Sequence, residues 1–278
     1  MNNRHFLKKI DFVAFDTETT GMRAAASRIV EIGAVKFLPG SDAFETFQSL
    51  INPEQPIPEE VIEIHGITDA MVSEAETIGP VLARFIDFCG PDSILIAHNA
   101  IFDISFVSCE LDRTGLCFGD NLILDTVDIF RRYAPGLPSY SLLSLSRQFD
   151  IARNQNHRAL ADAVLVWQLF KMILDKIPPI KTVGDLKKLM TTYTMASWKT
   201  EKRELPDEYS DIKRAIDENL PLEIVYASAG LTPQARIIRP SSVHSLGAIF
   251  YINAFCEKAK AERTFRLDRI ESHRLVKD

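Results

Sequence analysis

The pattern of apolar and polar positions predicts a mixed α/β fold in the front part of the chain. Short apolar runs separated by polar turns are typical of buried strands. We therefore expect strands at 11–15, 29–37, 44–51, 93–97 and 121–124, the first three forming a meander. Apolar residues at helical spacing predict a long amphipathic helix near the end of this region. Helices are expected at about 58–64, 79–89, 102–115 and 158–176.

The pattern changes after Pro178 and Pro179, which break the last of these helices. Residues 179–208 are polar and charged, and we expect a linker there with one embedded helix, Val183–Tyr193. Residues 209–278 then predict a small, mostly β domain. Its expected elements are a short helix at 210–218 and strands at 222–227, 235–239, 248–256 and 264–267. The predicted domain boundaries are thus 1–178, 179–208 and 209–278.

Composition narrows the class of protein. The chain has 278 residues, 46% of them hydrophobic, enough for a substantial core. No apolar run reaches the roughly 20 residues that span a bilayer, and no secretory signal is visible, so we expect no membrane association. Four cysteines without a C-x-x-C pair indicate reduced thiols in a cytoplasmic protein rather than a structural zinc site.

The net charge of −6 argues against a protein that coats nucleic acid. The charge is uneven, however. Residues 1–208 carry 21 basic and 29 acidic residues, whereas residues 209–278 carry 11 basic and 9 acidic residues. An acidic front part is compatible with nuclease chemistry if metal ions neutralise some of its carboxylates. The mildly basic end can help to hold a polyanion.

Four acidic residues lie in three short blocks, FDTETTG at 15–21, HNAIFD at 98–103 and HRALAD at 157–162. Asp16 and Glu18 are two apart at the end of a predicted strand, so both carboxylates point to the same face. Asp103 lies near the start of a helix that follows a strand, and Asp162 lies about one turn into the last long helix. If the strands are neighbours, the four acids meet at one edge of the sheet.

A site made only of carboxylate oxygens suits Mg²⁺ or Mn²⁺. Two such ions about 3.5–4 Å apart can stabilise both the attacking and the leaving oxygen of a phosphoryl displacement. His157 lies in the polar stretch NQNHR, from which it can take a proton from an attacking water. Taken singly, a D-x-E pair is usually a solvated turn, and His98 is more often a structural histidine. His65 could simply end a helix, and Phe102 is as readily a core residue as a stacking platform. Together, in order, the blocks favour metal-dependent cleavage of phosphodiester bonds.

The three blocks resemble the motifs of the DEDDh 3′–5′ exonucleases, the family of the proofreading ε subunit of bacterial DNA polymerase III. The resemblance covers roughly residues 10–176 and extends to the connecting sequences RIVEIGAV, HGIT and LDTVDIFRR. The tyrosine subclass would have a tyrosine at position 158, where this chain has Arg158. The histidine subclass therefore fits.

The resemblance implies a ribonuclease H-like fold, with a five-stranded mixed sheet flanked by helices. It implies two divalent ions, Mg²⁺ or Mn²⁺, held by Asp16, Glu18, Asp103 and Asp162, with His157 as the general base. It also implies that two threonines contact the 3′-terminal nucleotide and that four further residues line the substrate groove. These are Thr17 and Thr20, and then His65, His98, Asn99 and Phe102.

The end of the chain resembles the WYL domain, a small SH3- or Sm-like β-barrel of bacterial regulators. The match rests on FYI at 250–252, where Phe250 replaces the tryptophan, and on RTFRLDRI at 263–270. It covers about residues 210–274 and implies binding of nucleic acid or another negatively charged ligand. The residues implied are Tyr251, Arg266 and Arg269, with Arg239 and Arg263 as weaker candidates. Alternatively, Arg266 and Arg269 only form surface ion pairs around Asp268, and Phe250 or Tyr251 is a plain core residue of the barrel.

The sequence thus favours a 3′–5′ exonuclease that acts on nucleic acid with a free 3′ end, DNA preferred, and that carries a C-terminal binding module. One alternative is a nucleic-acid-binding regulator or adaptor with weak nuclease activity. Another is a 3′–5′ exoribonuclease, which would share every motif. A polymerase or repair partner fits the resemblance but has no specific binding motif in the chain.

Overall fold

The computed structural model describes residues 9–178, 182–195, 205–227, 232–246 and 249–276. The chain divides into two compact units, Met1–Ala196 and Ser197–Asp278. The first unit is a mixed sheet with helices packed against it, and the second is an antiparallel sheet with one α-helix among its described residues. None of the described helices combines the length and the apolar character needed to cross a bilayer.

The sheet of the first unit has six strands in the order β3-β2-β1-β4-β5-β6. The meander β1-β2-β3 is antiparallel, β4 and β5 run parallel to β1, and β6 is antiparallel to β5. The strands are β1 Phe12–Thr19, β2 Ile29–Phe37, β3 Phe44–Leu50, β4 Ile94–Ala97, β5 Leu122–Asp125 and β6 Thr192–Thr194. This mixed α/β sheet is the architecture that the sequence predicts.

Eight α-helices accompany this sheet in the described residues. They are α1 Glu59–His65, α2 Asp69–Val72, α3 Ile78–Cys89, α4 Ile101–Thr114, α5 Thr126–Tyr133, α6 Leu142–Gln148, α7 Ala159–Ile173 and α8 Val183–Leu189. Helix α7 packs on β1 and β2. Its buried residues Val166, Leu169 and Phe170 join Phe12 and Phe37 in the main core, so the helix has a fixed position over the sheet.

The first unit differs from its prediction in its sixth strand. Residues Thr192–Thr194 lie in the predicted linker, yet they pair with β5, and the predicted helix at Val183–Tyr193 ends at Leu189. Met190 is already extended, and the β-branched threonines that follow favour a strand. The predicted five-stranded sheet is therefore wrong by one strand. The first compact unit, Met1–Ala196, therefore includes β6, which lies in the predicted linker.

Besides the four-residue α2, two longer helices were absent from the prediction, α5 and α6. The side chain of Asp125 caps the first of them by accepting a hydrogen bond from the amide of Val127. Ser141 caps the second by accepting one from the amide of Ser144. Asp and Ser are preferred helix caps, so both starts carried a sequence signal.

The second unit has five antiparallel strands in the order β10-β9-β8-β7-β11. They are β7 Leu222–Tyr226, β8 Gln234–Leu246, β9 Ile249–Cys256, β10 Ala261–Arg266 and β11 Ile270–Leu275, and helix α9, Ser210–Asp217, packs on β8 and β11. The last strand was not predicted. Among the described residues no pairing joins β10 to β11, so the sheet is open rather than the closed small barrel that was expected.

Candidate active site

Three of the four predicted acids converge beside strand β1. One carboxylate oxygen each of Asp16, Glu18 and Asp162 lie within 4.8 Å of one another. Asp16 and Glu18 point to the same side of β1, and Asp162 is brought to them by the first turns of α7. Asp162 is only 2% exposed, and the other two are half-buried. The strand spacing and the helix packing thus assemble a compact group of carboxylates.

Asp103, the fourth predicted acid, lies on α4 just outside this group. Its side chain is 2% exposed, and its Oδ1 accepts hydrogen bonds from the amide of Thr17 at 2.9 Å and from the hydroxyl of Thr17 at 2.8 Å. The Asp103 charge contributes to the raised pKa of Asp16. Asp103 is therefore held against β1, next to the three clustered carboxylates.

Burial, and after it the negative charge of neighbouring carboxylates, raises the pKa values of these acids. Burial is the largest cause for Asp16, whose pKa lies well above its usual value, and the charges of Asp103 and Glu18 add to it. Burial, followed by the charges of Asp162 and Glu31, raises the pKa of Glu18 to about 8. Burial also raises the pKa of Asp103 to about 7, although its hydrogen bonds from Thr17 act in the opposite direction. These carboxyl groups therefore resist ionisation, and a bound cation would stabilise their charged forms.

The donor set fits divalent cations. Oδ2 of Asp162 accepts a hydrogen bond from Gln155, but its buried Oδ1 has no hydrogen-bond partner. A buried carboxylate oxygen without a partner is costly unless another group binds it. The clustered side chains offer only oxygen ligands, which suits Mg²⁺ or Mn²⁺. Asp16, Glu18 and Asp162 could hold such ions directly, with Asp103 beside them.

His157 lies at the entrance to helix α7 with a left-handed backbone, φ 47°. Its side chain is half-buried and lies near Asp162. Burial raises the pKa of Asp162, and the hydrogen bond from Gln155 and then the proximity of His157 act in the opposite direction. A non-glycine residue in this conformation is strained and persists only where its surroundings hold it. The predicted base is therefore brought to the acid cluster by a strained turn.

The sequence analysis missed Glu31 of β2, which is fully buried. Its carboxylate accepts hydrogen bonds from Nε and Nη2 of Arg158 at 3.0 and 2.6 Å, from the amide of Ala159 at 2.9 Å and from Gln48 at 2.9 Å. Burial alone would raise the pKa of Glu31, but the hydrogen bonds from Arg158, Gln48 and Ala159 lower it below its usual value. The available signal was a lone acid inside the apolar run IVEIGAV.

Three predicted substrate contacts are buried side chains with protein partners. Thr17 is 4% exposed, and its hydroxyl is bonded to Asp103. Thr20 is 3% exposed, and its hydroxyl accepts from Gln55 and from the amide of Arg28. His65 is 4% exposed, and its Nδ1 accepts from the amide of Ile67. These side chains are held within the protein beside the acids, and their contact with a nucleotide stays a prediction.

The block at 98–103 is more accessible. Nδ1 of His98 lies 2.8 Å from the hydroxyl of Thr126, and burial lowers the pKa of His98 to about 4, so this histidine is neutral at pH 7. Asn99 is exposed and has a left-handed backbone, with φ 63°. Its backbone N–H donates a hydrogen bond to Oδ1 of Asp125. Phe102 is half-buried, and its ring packs on Phe106 at 4.9 Å. Asn99 and Phe102 are the predicted groove residues that remain open to a ligand.

In the second unit the predicted ligand residues do not form an open cluster. Tyr251 is 1% exposed, so its ring cannot serve as a surface platform for a base. Arg266 forms a two-point ion pair with Asp268, at 3.1 and 2.8 Å. This is the surface ion pair that the sequence analysis gave as the alternative to ligand binding. Arg269 is half-buried, and its charge lowers the pKa of Asp268 after the larger contribution of Arg266. Arg263 is exposed, and Arg239 pairs with Glu257.

Comparison with protein families identifies both units. The family described as Exonuclease matches residues 13–170, and the WYL domain matches residues 207–275. DNA polymerase III PolC-type of Caldanaerobacter subterraneus subsp. tengcongensis is 35% identical over 182 residues, covering 65% of this chain and 13% of that protein. A putative bifunctional exonuclease/endonuclease protein of Mycobacterium tuberculosis is 36% identical over 200 residues, covering 68% of this chain and 31% of that protein. The chain thus spans about an eighth of the polymerase relative and under a third of the other.

Solved structures show the same fold at lower identity. Exonuclease I of E. coli in complex with a dT13 oligonucleotide has a TM-score of 0.56 and 17% identity, covering 87% of this chain and 55% of that one. The nuclease domain of 3′hExo, a DEDDh family member bound to rAMP, has a TM-score of 0.52 and 16% identity, covering 59% of this chain and 92% of that one. These two likenesses concern the fold alone.

Proposed function

Because the chain belongs to the Exonuclease family and carries a WYL domain, we propose that it hydrolyses nucleic acid from the 3′ end with the help of divalent cations. The observation that carries the proposal is the cluster of three carboxylates, from Asp16, Glu18 and Asp162, with His157 beside Asp162. The order of the acids and the histidine along the chain supports assignment to the histidine subclass of DEDDh enzymes. That assignment is the basis for the proposed 3′–5′ polarity.

In the proposed mechanism, Asp16, Glu18, Asp103 and Asp162 hold two ions, Mg²⁺ or Mn²⁺. Bound ions of this kind stabilise the charge that develops on a phosphate under attack. His157 accepts the proton of the attacking water. The negative charge of Asp162 nearby stabilises the imidazolium that results. Thr17 holds Asp103 by two hydrogen bonds, so this acid is oriented before a substrate arrives.

We further propose that the terminal nucleotide reaches the acids past Asn99 and Phe102. Both are accessible, and an aromatic ring can stack on a base. DNA is the favoured substrate because the relatives with 35–37% identity are named DNA polymerase III PolC-type. The WYL domain, whose likeness to an SH3 or Sm barrel stays a prediction, is proposed to bind the nucleic acid or another anion. A polymerase or repair partner also stays a proposal.

The full chain should be incubated with DNA and RNA strands of one sequence, labelled at either end, with Mg²⁺, Mn²⁺ or a chelator. We expect a ladder of shortened products from the 5′-labelled strand, faster for DNA, and none with the chelator. Release of the label from the 5′ end first, or no shortening with either ion, would contradict the proposal. Tight binding without turnover would instead favour a regulator or adaptor, the alternative that the WYL domain supports.

A further inference from the structure

Glu31 and Arg158 form a partly buried ion pair outside the acid cluster. Resting on the proposed exonuclease function, we propose that the Glu31–Arg158 pair is a positioning device that fixes His157 and the start of helix α7 against the sheet. Neither residue is part of the predicted catalytic set. Their role is to act through His157, without touching the substrate.

The hydrogen bonds of Glu31 reach the two residues that directly follow His157. Arg158 donates twice, at 3.0 and 2.6 Å, and the amide of Ala159 donates at 2.9 Å. A two-point bond between a guanidinium and a carboxylate fixes orientation as well as distance. The Glu31 side chain is completely buried in the sheet, so the segment after His157 is tied to a rigid support.

Gly33 completes the support on the same strand. A β-carbon at this position would overlap the backbone of Ala159 and Leu160, so the first turn of α7 lies directly on β2. Glu31 and Gly33 are two apart on a strand and therefore face the same side. Gly33 is also the ladder partner of Asp16. The start of α7 is thus fixed by one hydrogen-bonded contact and one close contact, directly beside a proposed metal ligand.

This support explains how His157 keeps its strained conformation. A left-handed residue with φ 47° relaxes unless its neighbours are held, and Arg158 and Ala159 are the neighbours that Glu31 holds. An apolar contact would restrain the segment less specifically, because it has no preferred direction. The pair therefore sets where the imidazole stands relative to Asp162, one turn further along the helix.

The first test compares Arg158→Lys with Gln48→Leu. Lysine keeps the charge but cannot form the two-point bond. The Gln48 variant removes a different hydrogen bond to Glu31 and leaves those of Arg158 and Ala159 in place. Amide hydrogen exchange should become faster at 155–162 in Arg158→Lys and stay at the wild-type rate in Gln48→Leu. Unchanged exchange in Arg158→Lys would overturn the proposal.

The second test is a double-mutant cycle with His157→Ala. Arg158→Lys should lower kcat about tenfold to a hundredfold, the usual effect of losing a residue that orients a site, with KM within about twofold of wild type. In the His157→Ala background the same change should cost less than about twofold. An equal loss in both backgrounds would mean that Arg158 does not act through His157, and the proposal would be wrong. Glu31→Gln, which keeps shape, should recover part of the rate relative to Glu31→Ala.

The two tests separate this proposal from the proposed function. Hydrogen exchange needs no turnover, so it reports on the support of residues 155–162 in any outcome. A wild-type chain that shortens no 3′ end would overturn the exonuclease function and the catalytic purpose of the pair with it. An active enzyme in which Arg158→Lys leaves exchange and kcat unchanged would overturn only the positioning role.

Discussion

Oδ1 of Asp103 accepts hydrogen bonds from both the amide and the hydroxyl of Thr17, at 2.9 and 2.8 Å. These residues are 86 positions apart in sequence, and Thr17 stands between Asp16 and Glu18 on β1. The two bonds therefore join the first acidic block to the second. The Asp103 carboxylate is fixed by the same strand that presents Asp16 and Glu18.

We expect Thr17→Val to lower activity about tenfold and the free energy of unfolding by about 1 kcal/mol, because a buried acceptor loses one of its two donors. Activity on a 5′-labelled strand and chemical denaturation measure the two effects. Thr17→Ser keeps the hydroxyl and serves as the matched control. If the valine and serine variants are equally active, the hydroxyl bond to Asp103 does not orient the site.

Asp16→Asn should abolish activity while making the metal-free protein more stable. Burial is the largest cause of the raised pKa of Asp16, followed by the charges of Asp103 and Glu18, so a neutral amide at this position removes the cost of burying an ionisable carboxyl there. The expected loss is at least about a thousandfold, since a metal ligand accounts for several kcal/mol of transition-state stabilisation. Thermal unfolding with and without Mn²⁺ should show that the ion stabilises the wild type more than the variant. A metal-free variant less stable than wild type would contradict this destabilising effect of the buried Asp16 carboxyl.

The sequence was sufficient to predict where the acids lie, because the position of each depends on the strand or helix immediately around it. Asp16 and Glu18 share a face through strand alternation, and Asp162 follows His157 by a fixed distance into a helix. The role of Glu31, in contrast, could not be predicted from its neighbours in the sequence. A single acid in an apolar strand resembles an outward-facing position, and its partner Arg158 is 127 residues away. Only the packing of α7 on β2 shows that this acid is buried and bonded.

The same dependence on tertiary structure explains the differences from the prediction at Tyr251 and at strand β6. Tyr251 was selected as a ligand residue from its place in a motif, but β9 directs its ring into the protein. Strand β6 has only three residues, and its strand character comes from pairing with β5, not from its own apolar pattern. Short edge strands and the inner or outer direction of an aromatic residue are properties of the assembled sheet.

Gly33→Ala should destabilise the protein by about 1–3 kcal/mol, the usual cost of inserting a methyl group where there is no space. The added carbon would push the backbone of Ala159 and Leu160 away from β2, so activity should fall together with stability. Gly79→Ala is the control. Its β-carbon would meet only Thr114 Cγ2, at an ordinary 3.8 Å, in helix α3. Equal unfolding free energies for the two variants would contradict the close contact at Gly33.

The pH dependence of stability should carry a contribution from His98. Burial lowers its pKa from 6.5 to about 4, so between these values the unfolded chain binds a proton at His98 and the folded chain does not. The His98 contribution to stability is therefore complete above about pH 6.5 and is lost as the pH falls towards 4, by at most about 1.4 kcal/mol per pH unit.

His98→Asn isolates this contribution, because asparagine can keep a hydrogen bond to Thr126 without titrating. We expect the wild type to lose stability relative to the variant as the pH is lowered from 7 to 4.5, measured by urea denaturation at each pH. Other titrating groups act equally in both proteins, so the difference between them reports on His98 alone. A difference that stays constant over this range would mean that His98 is protonated as readily in the folded protein as in the unfolded chain.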